Sequence, residues 1–186
     1  GFELFIGVYN RLIKEFDLKS LSFRLTSYIE APQGSGLGTS STIVVSLIGA
    51  FVEWLKLPLG KYDIARLAYE IERKDLGMSG GKQDQYAATF GGVNFMEFLK
   101  DDQVIVNPLR IKADYMNELS NNLVLYYTQT SRYSSDIISS QSKSVEDKNE
   151  DAINAMHNLK EQAEMMKRAL AVGKIDKIGE ILDYGW

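Results

Sequence analysis

The sequence predicts an α+β fold, on three observations: apolar stripes at helical spacing, alternating apolar and polar residues between them, and a glycine turn that feeds one of the helices. Its 186 residues suffice for a sizeable buried core, and 45% hydrophobic with 25% charged residues excludes disordered and collagen-like chains. The net charge of -4, with no block of like charge, carries no electrostatic footprint for nucleic acid. Without Cys, disulfides, thiolate metal sites and a Cys nucleophile are excluded, and a reducing, cytoplasmic setting fits. The single His157 excludes a multi-His zinc site and is given no role. The longest apolar-rich stretch, Ile43 to Leu57, is broken by Ser46, Glu53 and Lys56, so no membrane span is expected, and nothing reads as a signal peptide.

In chain order, Phe5, Val8, Tyr9, Leu12, Ile13 and Phe16 form the stripe of a first helix. The segment "LSFRLTSYIE" turns Leu21, Phe23 and Leu25 to one side, the period of a half-buried strand. A glycine loop follows. From Ser40 to about Leu55, Val44, Leu47, Ile48, Phe51 and Leu55 predict a helix whose exposed amides Thr39, Ser40 or Ser41 can cap. A further helix is expected over 61–74, closed by Gly77, with Ile64, Leu67, Ala68 and Ile71 inward. At about 100° per residue Glu72 falls about 80° from Ile64, at the edge of that stripe. The segment "SGGKQDQYAATFGG" reads as a glycine turn and a short helix through Asp84. "GVNFMEFL" and "VIVNPL" read as a hairpin turning at Lys100 to Gln103, and "NLVLYYT" as a buried strand. The polar "QTSRYSSDIISSQ" leads into a helix, and the last long helix, over 148–171, carries Ala152, Met156, Leu159, Ala163, Met166 and Leu170 as a packing seam. No repeat or linker divides the chain. Its start without Met and its end at Trp186 are those expected of the middle of a longer protein.

The stretch "GSGLGTSST", Gly34 to Thr42, places three glycines against four successive hydroxyls at a helix start. Phosphate suits such a place: the first amides of a helix lack partners, the helix dipole favours negative charge, and glycines let oxygens approach the backbone. A P-loop is excluded because no Lys occurs between Glu30 and Lys56. The dinucleotide fingerprint is excluded because position 39 is Thr, where its third Gly belongs. Charge neutralisation then falls to the backbone and a metal. One hydroxyl suffices for a cap, so the surplus Ser is a plausible Mg²⁺ ligand. A tight turn with Ser caps and no ligand remains the competing reading.

"APQGSGLGTSST" resembles the second motif of the GHMP family of small-molecule kinases, and "ERKDLGMSGGKQDQYAATFGG" resembles the segment that bears its Mg²⁺-binding Glu and its active-site Asp. "GVYNRLIKEF" and "SRYSSDIISSQ" are similar to the heptose-phosphate branch of that family, so the likeness covers essentially the whole chain. It implies a GHMP kinase-like fold, incomplete at both ends: a ribosomal protein S5 domain 2-like N-terminal domain over 1–120, and the beginning of the C-terminal domain over 121–186.

By the same resemblance, ATP and Mg²⁺ are the cofactors and a sugar phosphate is the acceptor. Pro32, Gly34, Ser35, Gly36, Leu37, Gly38, Thr39, Ser40 and Ser41 would cradle the nucleotide. Ser40 and Glu72 would hold Mg²⁺, with Ser41 the rival of Ser40 and Glu70 a substitute for Glu72. Asp84 would face the acceptor hydroxyl. Arg132 and Lys82 are candidates for sugar or nucleotide phosphates, a task that a cationic side chain suits. From the residues alone, a solvated helix-end carboxylate is the preferred reading of Glu72, and for Asp84 a helix cap and a base are not separated. Other readings are a family member acting on another sugar or an isoprenoid acid, and a non-catalytic nucleotide-binding piece. Oligomeric state is left open.

Overall fold

The computed structural model describes residues 2–32, 34–126 and 134–185, with backbone alone at 134–136. In chain order the elements are α1 (Glu3–Glu15), α2 (Thr39–Leu55) and α3 (Lys61–Glu70), then a π-helical turn (Ile71–Asp75) and α4 (Gln83–Phe90). They continue with β1 (Asn94–Phe98), β2 (Val104–Pro108), α5 (Ala113–Asn122), α6 (Ser134–Glu146), α7 (Glu150–Val172) and α8 (Asp176–Tyr184). Two compact units result: the first runs through Gly91, and the second begins at Gly92 and holds the hairpin, α5, α7 and α8.

The core of the first unit is the meeting of the predicted stripes. Val8 and Leu12 of α1, Val44, Leu47, Ile48 and Phe51 of α2, and Leu67, Ala68 and Ile71 of the third helical stretch are buried together. Full burial of one such large aliphatic side chain stabilises by about 1.5–3 kcal/mol, so this cluster holds α2 and α3 as a rigid pair. Local signals agree with the boundaries. The backbone turns left-handed at Lys56 (φ 53°) as α2 ends, and Asp63 Oδ2 accepts the Gly60 amide at 3.0 Å where α3 begins. Arg11 ties α1 to the third helix, with Nη2 2.6 Å from Glu70 and Nη1 3.0 Å from Asp75, while Nε meets Glu15 at 2.7 Å.

In the second unit, β1 and β2 pair antiparallel with Met96 opposite Val106. Asp101 and Asp102 take φ of 60° and 62°, the left-handed geometry that matches the twist of a tight hairpin. Ala169 and Leu170 of α7 pack with Ile175, Ile178 and Ile181, against Leu109, Tyr115 and Met166 among others. Asn149 caps α7 by accepting from the Ala152 amide at 3.0 Å, and Gly173 (φ 71°) ends it.

Three expectations are corrected. Residues 21–30 form no strand: the apolar side of the alternation is used, since Phe23 packs on Tyr9, Phe51 and Trp54, but a ladder also needs a neighbouring strand. The Leu21 amide instead donates to the Tyr9 hydroxyl at 2.9 Å. The run expected as a buried strand after α5 has no regular element over 123–126, where Val124, Leu125 and Tyr126 are exposed; the remainder of that run lies outside the described residues. The α7 seam is buried only at its C-terminal end, with Leu159 exposed.

Candidate active site

The site is built where α2, the π-helical turn and α4 converge, three pieces of the first unit. The glycine loop climbs into α2 through Gly34, Gly36 and Gly38, whose φ values of 75°, 76° and 68° are those that disfavour any side chain. The Ser35 amide donates to the Pro32 carbonyl at 3.2 Å, closing the turn before the helix. No side chain caps α2, contrary to expectation, and its first turn holds no acidic residue. The amide end of the helix therefore keeps its dipole and its unpartnered N–H groups for another acceptor.

The four hydroxyls separate into distinct tasks. Thr42 Oγ1 donates back to the Gly38 carbonyl at 3.0 Å. Ser40 Oγ donates to Glu72 Oε1 at 3.0 Å, and Ser41 Oγ to Glu72 Oε2 at 2.8 Å. Thr39 and Ser40 line a cavity of about 740 Å³ with Ser27, Ile29, Phe5 and Met78. Thr39 and Thr42 also line a second cavity, of about 550 Å³, with Leu37, Tyr28 and Ser46.

Glu72 is fully buried, where a helix-edge position alone leaves a carboxylate solvated, because Ser40 and Ser41 of α2 and Gln85 of α4 close over it. It lies in the π-helical turn, where the Leu76 amide bonds to the Ile71 carbonyl five residues back at 2.9 Å. No Lys or Arg among the described residues pairs with Glu72, whereas Glu70 is met by Arg11, Arg66 and Lys74 at 2.6, 3.6 and 3.3 Å. Partial burial pushes the Glu70 carboxyl up, but the Lys74 hydrogen bond and the charges of Lys74, Arg11 and Arg66 outweigh it and hold the group below its ordinary value. The two carboxylates that the sequence leaves as rivals thus have different surroundings.

Asp84 lies in the first turn of α4, exposed, beside the glycine loop: a β-carbon placed on Gly38 would be 3.1 Å from Asp84 Cγ. Gly38 thus serves both the left-handed turn and the close approach of a carboxylate. Lys82, at the start of α4, holds Nζ 5.0 Å from the centre of the Tyr69 ring. Arg132 lies outside the described residues, and His157 is exposed on α7.

Two residues of this region escape the sequence reading. Gln85 is fully buried and donates its side-chain amide to Ser41 Oγ at 3.0 Å and to Glu72 Oε2. Arg73 Nε donates to the Gly81 carbonyl at 3.3 Å, and its guanidinium covers Gly80, where a β-carbon would collide with it at 2.5 Å. Arg73 could have been suspected as a cation next to Glu72, but Gln85 carries no signal, since a Gln in a short polar helix ordinarily faces water.

The arrangement can hold a hard divalent cation. Glu72 brings a carboxylate that no Lys or Arg among the described residues pairs with, Ser40 places a second oxygen beside Oε1, and oxygen ligands are what Mg²⁺ takes. Among the described residues no cluster of three His, Cys, Asp or Glu forms a complete cage.

Comparison with known proteins shows the family. Residues 3–92 match the family described as GHMP kinases N terminal domain. The chain is 52% identical over 184 residues to D-glycero-alpha-D-manno-heptose 7-phosphate kinase of Campylobacter jejuni, covering 99% of this chain and 54% of that one. A crystal structure of a D-glycero-D-manno-heptose 1-phosphate kinase from Bacteroides thetaiotaomicron superposes with a TM-score of 0.85 at 52% identity, over 99% of this chain and 53% of that one. A putative sugar kinase of Campylobacter jejuni follows with a TM-score of 0.77 at 49% identity, over 99% and 52%. The chain spans about half the length of these relatives. With its glycine loop, Glu72 and Asp84 inside the matched segment, this chain belongs to the GHMP kinase family and carries that family's N-terminal domain.

Proposed function

We propose that the protein transfers the γ-phosphoryl group of ATP to a hydroxyl of a sugar phosphate, and that the acceptor is the anomeric hydroxyl of D-glycero-D-manno-heptose 7-phosphate. The product is then the 1,7-bisphosphate, a precursor of nucleotide-activated heptose for surface polysaccharide. The observation that carries the reading is the contact of Gly38 with Asp84, which sets a carboxylate beside the open amide end of α2. The 52% identity to a heptose 7-phosphate kinase supports this sugar over the family's other acceptors.

In this reading the amides of Gly36, Gly38 and Thr39 and the dipole of α2 hold the triphosphate. Ser40 and Glu72 would hold Mg²⁺, which when bound would spread the charge that develops on the phosphate oxygens. Asp84 orients the acceptor hydroxyl and takes its proton as the new O–P bond forms and the bond to the leaving ADP oxygen breaks. Most of the acceleration comes from holding the two substrates in line. Lys82 and Arg132 are the candidates for the sugar's own phosphate. We further propose that residues 121–186 begin the family's C-terminal domain, and that the enzyme works in the cytoplasm, where ATP is supplied. Among the described residues no helix is long and apolar enough to cross a membrane.

The test is ADP release by the full-length protein with a panel of acceptors. Turnover with heptose 7-phosphate far above that with galactose, fucose or mevalonate is expected. Strong turnover of free galactose with none of the heptose phosphate would sink the assignment of the acceptor.

A further inference from the structure

Gln85 is a buried polar side chain that the reaction does not touch, and its two ends are treated unequally. Its Nε2 donates to Ser41 Oγ and to Glu72 Oε2, while its Oε1 is buried without a partner among the described residues. Reversing the amide would set an acceptor against the Glu72 carboxylate, so the chemistry of the neighbours dictates this orientation. An unpartnered buried acceptor is destabilising, and an apolar side chain of similar size would fill the place without that cost. What the Gln brings is its donor end.

The donor end makes the Glu72 carboxylate asymmetric. Oε2 accepts from both Ser41 and Gln85, which fills the two acceptor directions of that oxygen. Oε1 accepts only from Ser40 and keeps a direction free. Ser41 is engaged twice, as acceptor from Gln85 and donor to Glu72, whereas Ser40 donates once and lines the cavity. Gln85 also follows Asp84 directly on α4, so one turn of backbone carries both the acceptor-side carboxylate and the clamp on Glu72.

Resting on the kinase reading, we infer that Gln85 is a positioning residue: it locks Glu72 Oε2 and Ser41 together, so that a divalent cation meets Oε1 and Ser40, and it holds that face in register with Asp84. Ser41 is then an internal anchor and not a metal ligand. Partners of this kind, which hold a metal ligand in place, typically change metal affinity by about 10–100-fold when removed.

The experiment compares full-length wild type with Gln85→Met by titrating Mn²⁺·ATP and metal-free ATP separately, the first by electron paramagnetic resonance and the second by calorimetry, with circular dichroism to show folding. Mn²⁺·ATP binding is expected to weaken roughly tenfold while metal-free ATP binding holds. In parallel, the Mg²⁺ concentration for half-maximal turnover should rise more than kcat at saturating Mg²⁺ falls. Unchanged Mn²⁺·ATP affinity in a folded Gln85→Met protein overturns the inference. Should that variant fail to fold, Ser41→Ala, which frees one direction on Oε2, is expected to weaken Mn²⁺·ATP in the same sense, and wild-type affinity there overturns it equally. Because the titration contains no sugar, weakened Mn²⁺·ATP binding supports the role of Gln85 even where no sugar phosphate is turned over, a result that overturns the acceptor reading alone. A wild type that binds no Mn²⁺·ATP overturns both.

Discussion

Glu70 and Glu72 are two residues apart in one continuous helical stretch, and they meet opposite company. Glu70, at the end of α3, faces Arg11, Arg66 and Lys74. Glu72, in the π-helical turn, faces two hydroxyls and an amide, with no cation among the described residues. The first has its charge neutralised within the protein and fastens α1 to the third helix. The second is held in place by neutral donors that orient the carboxylate and bring no opposite charge. The difference teaches how a single helix gives two nearby carboxylates different surroundings: two residues apart they point about 200° away from each other, one toward the cations of α1 and its own helix, the other toward α2 and α4.

The largest expected effect lies just outside this pair and fixes its functional side. Asp84→Ala should lower turnover by about 10²–10⁴-fold while Mg·ATP binding, measured by calorimetry, stays near wild type. Unchanged turnover would remove Asp84 from the chemistry. Next comes the pair itself. Glu72→Gln should weaken Mg·ATP binding by roughly tenfold or more. It should also reduce stability by about 1–3 kcal/mol, because an amide nitrogen replaces one acceptor among buried donors. Glu70→Gln should leave Mg·ATP binding unchanged. Equal losses of Mg·ATP affinity in the two variants would erase the contrast, and a loss confined to Glu70→Gln would reverse it.

Much of this region is legible in the sequence. The stripes that predict α1, α2 and α3 reappear as one core, because spacing along a helix reports directly on which side is buried. The glycines of the loop adopt the left-handed backbone for which glycine is the suitable residue, and the surplus of hydroxyls beside them is accounted for by Glu72. What escapes depends on geometry that no single segment encodes. Glu72 reads as an edge residue from a count at about 100° per residue and proves fully buried, because α2 and α4, distant in sequence, bring Ser40, Ser41 and Gln85 over it. Gln85 becomes informative only once Ser41 and Glu72, far off in the sequence, stand beside it. The expected strand at 21–30 shows the converse: alternation tells which side of a segment is apolar, as Phe23 demonstrates, but not whether a strand lies alongside to pair with it.

A smaller effect tests the structural carboxylate. Arg11→Ala removes the contacts to Glu15, Glu70 and Asp75 together and should lower stability by about 1–2 kcal/mol in thermal or urea unfolding, the range of a partly buried, charge-assisted network. Mg·ATP binding by the folded fraction should not change. A shift in nucleotide affinity as large as that of Glu72→Gln would show that the two clusters are coupled rather than separate.

The smallest effect is the pH dependence of that same network, and its sign is fixed. The Glu70 carboxyl is held below its ordinary value in the folded protein, since Lys74, Arg11 and Arg66 together outweigh the upward push of burial. The stabilisation is therefore fully present above the unfolded glutamate value and is lost as the pH falls through the lower, folded value. Comparing thermal midpoints of wild type and Glu70→Gln on acidification isolates this group, because every other carboxylate titrates in both proteins. The wild-type advantage should shrink across that acid window, and it should be smaller at every pH in high salt, which screens partly exposed pairs. Parallel curves through the window would mean that the three cations contribute nothing net. In that case Glu70 would be kept in place by packing, and the contrast with Glu72 would rest on ligand binding alone.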